Sequence, residues 1–162
     1  MILDEEVFAV VLAVSIIGSV LGIALILRPE NPEPFTAIGL LNQDCKIGEY
    51  PGNVPNGSNV DLCIYVFNNL GHTGYFKVVY KIALNETLPS NTTESPTPVL
   101  KEWRLVLAHN QSWETPVKIP VYCSTLPCRP ALVFELWVHD AGSGGWVYTG
   151  RWVHLYVNVT QW

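Results

Sequence analysis

Four cysteines, four histidines and a scatter of acids are the residues in this 162-residue chain with chemistry to offer, and their spacing favours structure over catalysis. Cys123 and Cys128 bracket Ser-Thr-Leu-Pro between two apolar runs, a spacing that suits a small disulfide loop. Cys45 and Cys63 are then expected to form the second bridge, tying the loop after the first strand-like run to the next run. Zinc is the competing reading. A single Cys-x4-Cys without a second close pair is a poor zinc signature, so no metal ligand is assigned. His72, His109, His139 and His154 contain no pair at ligand spacing and read as ordinary surface or core residues. Glu102, Glu114, Glu135 and Asp140 are spread over three strand-like regions, with nothing in the sequence to pair two of them as general acid and base. No nucleophile elbow, phosphate loop or dinucleotide fingerprint occurs. The expectation is a non-enzyme without catalytic residues or cofactor.

A second set of residues speaks to compartment. Asn56, Asn85, Asn91, Asn110 and Asn158 each open an Asn-x-Ser/Thr sequon, none with proline in the middle, and are the candidate glycosylation sites. Four of the five fall in expected turns or loops. Sequons and an even cysteine count agree on an oxidising, extracytoplasmic environment. The nine Lys and Arg residues are dispersed and the net charge is −5, which leaves no basic surface for phosphates and argues against nucleic acid as a partner.

These residues need elements to carry them. Val7–Leu27 runs 21 positions without a charge, about 31 Å as a helix against a bilayer core of about 30 Å, and reads as a transmembrane helix. It has no basic flank or small-residue cleavage site, so it reads as an uncleaved anchor rather than a signal peptide. Ser15, Gly18, Ser19 and Gly22 form a small-residue face fit for helix packing. Residues 1–6 read as a cytoplasmic tail and residues 28–34, with three prolines, as a stiff spacer. Counting basic flanks favours the opposite orientation by the single Arg28; sequons and cysteines outweigh it.

From residue 35 to 162 the apolar period is two. Runs at 36–41, 59–68, 74–84, 99–108, 112–122, 131–139 and 146–159 read as strands, with the 59–68 run apolar on both faces and therefore central. In the 74–84 run, Phe76, Val78, Tyr80 and Ile82 face one way, Lys77 and Lys81 the other. Residues 85–98, rich in Ser, Thr and Pro, read as a long glycosylated loop and the domain's most mobile part. The fold expected is a seven-stranded immunoglobulin-like β-sandwich behind one N-terminal transmembrane helix. Six tryptophans are many for this length. Trp137 lies out of phase with its apolar neighbours and Trp152 opposes Val153, so these two are candidate partner contacts on a sheet face.

An apolar helix, a Pro/Glu spacer, Glu33-Pro34-Phe35-Thr36, a strand with Gly39, Tyr50-Pro51, an apolar strand ending in Asn68, a Tyr-rich strand, Trp113-Glu114 and Trp152-Val153-His154-Leu155-Tyr156-Val157 follow one another here. This order resembles the C-terminal half of an archaeal family of membrane proteins of unknown function, the "DUF sixteen-sixteen" type. The resemblance implies an archaeal envelope protein with a sandwich domain and maps no catalytic residues. That family usually has several membrane helices before the module, and one precedes it here. The functional expectation is a single-pass envelope protein, its C-terminal domain outside the cell membrane, acting as an accessory or structural subunit through protein contacts. Its partners would be other membrane or envelope proteins, further copies of itself and membrane lipid. A pilin-like filament subunit and a glycan- or solute-binding domain are the alternatives.

Overall fold

The computed structural model describes residues 4–27 and 33–161. Residues 1–3 of the expected tail, 28–32 of the expected spacer and Trp162 lie outside the described residues. Met1–Glu33 and Pro34–Trp162 form separate compact units.

In the first unit, α1 (Glu5–Ile26) begins with Glu5 and Glu6 in its first turn, where carboxylates complement the free N–H groups of a helix start. No side chain along it is buried. The helix is long and apolar enough to cross a membrane. Its two serines are satisfied internally: Ser15 donates to the Val11 carbonyl and Ser19 to the Ser15 carbonyl, both at 2.8 Å, which leaves no hydroxyl unpaired in an apolar solvent.

The second unit contains nine strands among the described residues. They are β1 (Phe35–Leu41), β2 (Asn53–Pro55), β3 (Asn59–Asn69), β4 (Gly74–Ala83), β5 (Lys101–Leu107), β6 (Ser112–Pro120), β7 (Ala131–Asp140), β8 (Gly145–Tyr156) and β9 (Asn158–Thr160). Sheet one runs β1-β3-β6 and sheet two β5-β4-β7-β8, both antiparallel, while β2 and β9 form a parallel pair. The apolar 59–68 run is central as expected, lying between β1 and β6. All seven expected runs are strands, with shifted ends. β6 ends at Pro120 and also carries Pro116, which its place at the edge of sheet one allows.

Two elements differ from expectation. β2 lies inside a stretch read as turns, and the expected last strand is broken at Val157. One long-range event explains both. Val157 N–H donates to Pro130 (3.2 Å), Asn158 to Gly52 (2.8 Å) and Val159 to Cys128 (3.0 Å), so the chain leaves sheet two and pairs with residues 53–55.

The two sheets share one core. Leu62, Ile64 and Val66 of β3 with Val117 and Ile119 of β6 meet Phe76, Val78 and Tyr80 of β4 and Leu132, Phe134 and Leu136 of β7. The domain is thus mainly β and sandwich-like. Tyr80 links the layers, its hydroxyl donating to the Pro120 carbonyl at 2.8 Å, and burial pushes that phenol well above its ordinary pKa. Disulfides join Cys45 to Cys63 (Cα–Cα 5.1 Å) and Cys123 to Cys128 (6.6 Å), the pairing expected from spacing.

Candidate functional site

Alternation along sheet two sends Phe76, Val78 and Tyr80 inward and therefore Tyr75, Lys77, Val79, Lys81 and Ala83 outward. Register then lays Val133, Glu135, Trp137 and His139 of β7 beside them, and Trp146, Tyr148, Trp152, His154 and Tyr156 of β8 beyond. This outer face has two halves of different character.

One half is covered by residues 84–100, which join β4 to β5. The segment climbs along β8, turns at Ser90–Thr93 and returns across β7 to β4. We call it the strap. Leu88 packs on the cluster of Ala83, Ala131 and Val133, as do Trp152 and Tyr156. Tyr156 donates to Asn85 Oδ1 (3.2 Å) and Tyr148 to the Ser90 carbonyl (2.7 Å). At the return, Lys81 and Glu135, 2% and 0% exposed, form an ion pair at 2.8 Å. Lys81 Nζ also donates to Glu94 Oε2 (3.0 Å) and to the Ser95 carbonyl (2.7 Å), while Ser95 N–H donates to Glu135 Oε2 (2.7 Å). Glu135 Oε1 takes the Lys81 charge without a well-aligned hydrogen bond. Gly150 completes the fit: its φ of +78° is left-handed, and a Cβ there would collide with the Asn91 carbonyl. The segment expected to be most mobile, 85–98, is tied at both legs: the Asn85 and Glu94 side chains and the Ser90 and Ser95 backbone find partners on β8, β4 and β7, while its Ser and Thr hydroxyls bond within the strap.

The other half is open and aromatic. Tyr75 lies 4.9 Å from Trp146 and 5.8 Å from His139, His139 meets Trp146 edge-on at 5.3 Å, and Trp137 lies 5.4 Å from Tyr148. Lys77 Nζ sits 4.8 Å from the Trp146 centroid and 5.1 Å from that of Trp137, and Arg104 lies 5.4 Å from Trp146. Such cation–π contacts hold cations and rings in a fixed arrangement. Arg104 is also paired with Glu102 at 2.6 Å, which raises its pKa. Tyr75 is 37% exposed and Val106, opposite it on β5, 64%. Tyr148 belongs to both halves. Burial, with Glu135 and Glu94 nearby, pushes its hydroxyl up to about 12.

Of the two tryptophans singled out by phase, Trp137 belongs to the open row. Trp152 is equally half-buried but packs, like Leu88 of the strap, on the Ala83, Ala131 and Val133 cluster and lies 5.1 Å from the His154 ring, which places it in the covered half. The sequence does not single out Tyr75, Arg104, Trp146 and Tyr148; His139 reads as an ordinary surface or core residue, and Lys77 is placed only as outward-facing. Alternation exposes them individually, but only the β5-β4-β7-β8 order makes them neighbours. The acids do not assemble as an acid–base pair in a cleft. Glu94, which is half exposed, and the buried Glu135 both meet Lys81, and Asp140 accepts from Ser143 and Gly142 in its own turn, which lowers its pKa. Among the described residues the one cluster of metal-ligand type is Cys45, Cys63 and Glu114, and its sulfurs are bonded to each other.

The sequons differ in their surroundings. Asn56 is half-buried, its Oδ1 accepting from Cys123 N–H (2.9 Å) and its Nδ2 donating to the Cys123 carbonyl (3.3 Å). Asn158, exposed at the start of β9, donates to Asn53 Oδ1 at 3.3 Å. Asn110 sits in the β5–β6 hairpin with φ +64°, and Asn91 is exposed at the strap's turn. Ser15, Gly18, Ser19 and Gly22 fall on one face of α1, with no atom within 4 Å of a Cβ added at either glycine. A cleft of about 510 Å³ opens near the strap's base, lined largely by apolar residues including Ile82, Leu84, Leu100 and Tyr122.

No family model matches the chain, and no curated protein matches it. Solved structures to which it is similar include the CARDB domain of the PF1109 protein from Pyrococcus furiosus in complex with di-metal ions, at 13% identity and TM-score 0.47, covering 80% of this chain and 91% of that one. A beta-glucosidase from Listeria innocua in complex with glucose shows 7% identity and TM-score 0.47 over 80% of this chain, which spans 16% of the glucosidase. The sporulation control protein Spo0M from Bacillus subtilis shows 9% identity and TM-score 0.45, covering 76% of this chain and 49% of that one.

Proposed function

We propose that the chain is a non-enzymatic, single-pass envelope protein of the archaeal family type it resembles, with an immunoglobulin-like domain outside the membrane. It acts as an accessory or structural subunit of a membrane assembly, and the open half of sheet two's outer face is where it meets a neighbouring protein. The observation that carries this is the composition of that face: Trp137, Trp146, Tyr75, Tyr148 and Arg104 are of the residue types that dominate protein–protein hot spots, and they are packed into one continuous surface. The Ser15–Gly22 face of α1 is the corresponding site for a partner helix. Two disulfides support the external placement.

A photo-crosslinking residue at Tyr75 or Val106, introduced into the full chain in its own membranes, is expected to capture one defined protein, while the same residue at Lys118 of β6, in sheet one, captures none. A monomer in mild detergent, with no specific crosslink from the aromatic face, would sink this reading. The second reading, a solute- or glycan-binding domain, is favoured by the apolar cleft near Leu84 and Tyr122. Saturable binding of a small amphipathic ligand, lost on Leu100→Arg with the crosslink intact, would support it.

A further inference from the structure

The strap ends where the aromatic face begins. Its turn is closed by Ser90 N–H donating to the Thr93 carbonyl (2.8 Å) and Thr93 N–H to Ser90 Oγ (2.9 Å). Tyr148, the outermost ring of the aromatic row, holds the Ser90 carbonyl at 2.7 Å. The next residue is Asn91, first of the sequon Asn91-Thr92-Thr93. Its backbone is seated against Gly150 and its side chain is exposed, so the position is fixed while the carboxamide faces solvent. Asn56, Asn85 and Asn158 each have a carboxamide atom engaged, with Cys123, Tyr156 and Asn53. Asn110 is exposed and has no such partner among the described residues, but it sits in the β5–β6 hairpin and not beside Tyr148. Among the described residues the Asn91 carboxamide has no hydrogen-bond partner.

We propose that an N-linked glycan on Asn91 lies across the open aromatic half, so that occupancy of this one sequon decides whether the face is covered or free. The chemistry of the face fits a saccharide. Sugar C–H groups carry partial positive charge and pack on the negative faces of Trp and Tyr rings. Lys77 and Arg104 stand over those rings with N–H groups to offer to sugar hydroxyls. Tyr75 and Val106 are exposed on this surface beside four further rings, an apolar area that a glycan would cover. The inference rests on reading this face as the contact surface: the glycan then selects between a shielded, unpartnered state and a state open to the neighbour.

The test needs no knowledge of the partner. The full chain is produced in an N-glycosylating host, purified in mild detergent, and probed by amine acetylation with peptide mass spectrometry. Lys77 is expected to react several-fold more slowly in the glycosylated protein than in Asn91→Gln or Thr93→Ala, two independent ways of removing the sequon. Lys118 serves as an internal control whose rate stays constant, and Asn158→Gln leaves Lys77 unchanged. An unmodified Asn91 in otherwise glycosylated protein, or equal Lys77 rates with and without the glycan, would overturn the proposal. Protection of Lys77 with no crosslinked partner from either form would support the glycan's position and overturn the contact reading instead.

Discussion

Lys81 and Glu135 decide how the outer face is divided. Each is essentially inaccessible, and the pair survives there because Glu94, Ser95 and the strap backbone complete its hydrogen bonding. Removing the cation alone, as in Lys81→Met, leaves Glu135 charged, buried and uncompensated. We expect a loss of about 3–5 kcal/mol in denaturant unfolding, with most of it recovered in Lys81→Met/Glu135→Met. Equal midpoints for wild type and the single variant would show that the pair does not hold the strap. Alternation placed Lys81 on the face opposite the core, which is correct. What it could not supply is its burial, because Glu135 lies 54 positions away and only the β4–β7 register sets them side by side. The same holds for Trp137. Its phase marked it as outward, but its neighbours Lys77 and Tyr148 come from two other strands.

At the scale of elements, strands were readable because a period of two and a buried face follow directly from side-chain alternation. β2 and β9 were not, since three-residue strands have no period of their own and exist only through each other. The contacts of the strap were not readable for a related reason: Ser, Thr and Pro carry no sign of partners that only the β4-β7-β8 order supplies. The disulfides act on the same scale. Cys45–Cys63 closes a separation of 18 residues and Cys123–Cys128 one of five, so replacing the first pair by alanine should cost about 3 kcal/mol and the second about 2. Paired thermal melts of the two double variants check this order, and a larger loss from the shorter loop would contradict it.

For the whole domain, one buried and one half-buried phenol make stability fall on the alkaline side. Tyr80 and Tyr148 both have raised pKa values in the fold, whereas an unfolded phenol ionises near about 10. The unfolded chain therefore gives up these protons first. Their contribution is complete below about pH 10 and is lost as pH rises through that value toward the folded ones. A thermal midpoint falling from about pH 9 to about pH 11, less steeply in Tyr80→Phe and Tyr148→Phe, is the expected outcome. A pH-independent midpoint over that range would contradict it.

The parallel pair of β2 and β9 carries one more consequence. It joins positions 53–55 to 158–160, and Asn56 N–H donates to the Thr160 carbonyl at 2.9 Å. A ribosome delivers residue 158 long after residue 53, so this pairing cannot form until nearly all of the strand-forming chain has emerged. The strands of sheet one are complete by residue 120 and those of sheet two by residue 156, so the β2–β9 seam is a latch drawn across two sheets whose strands are already present.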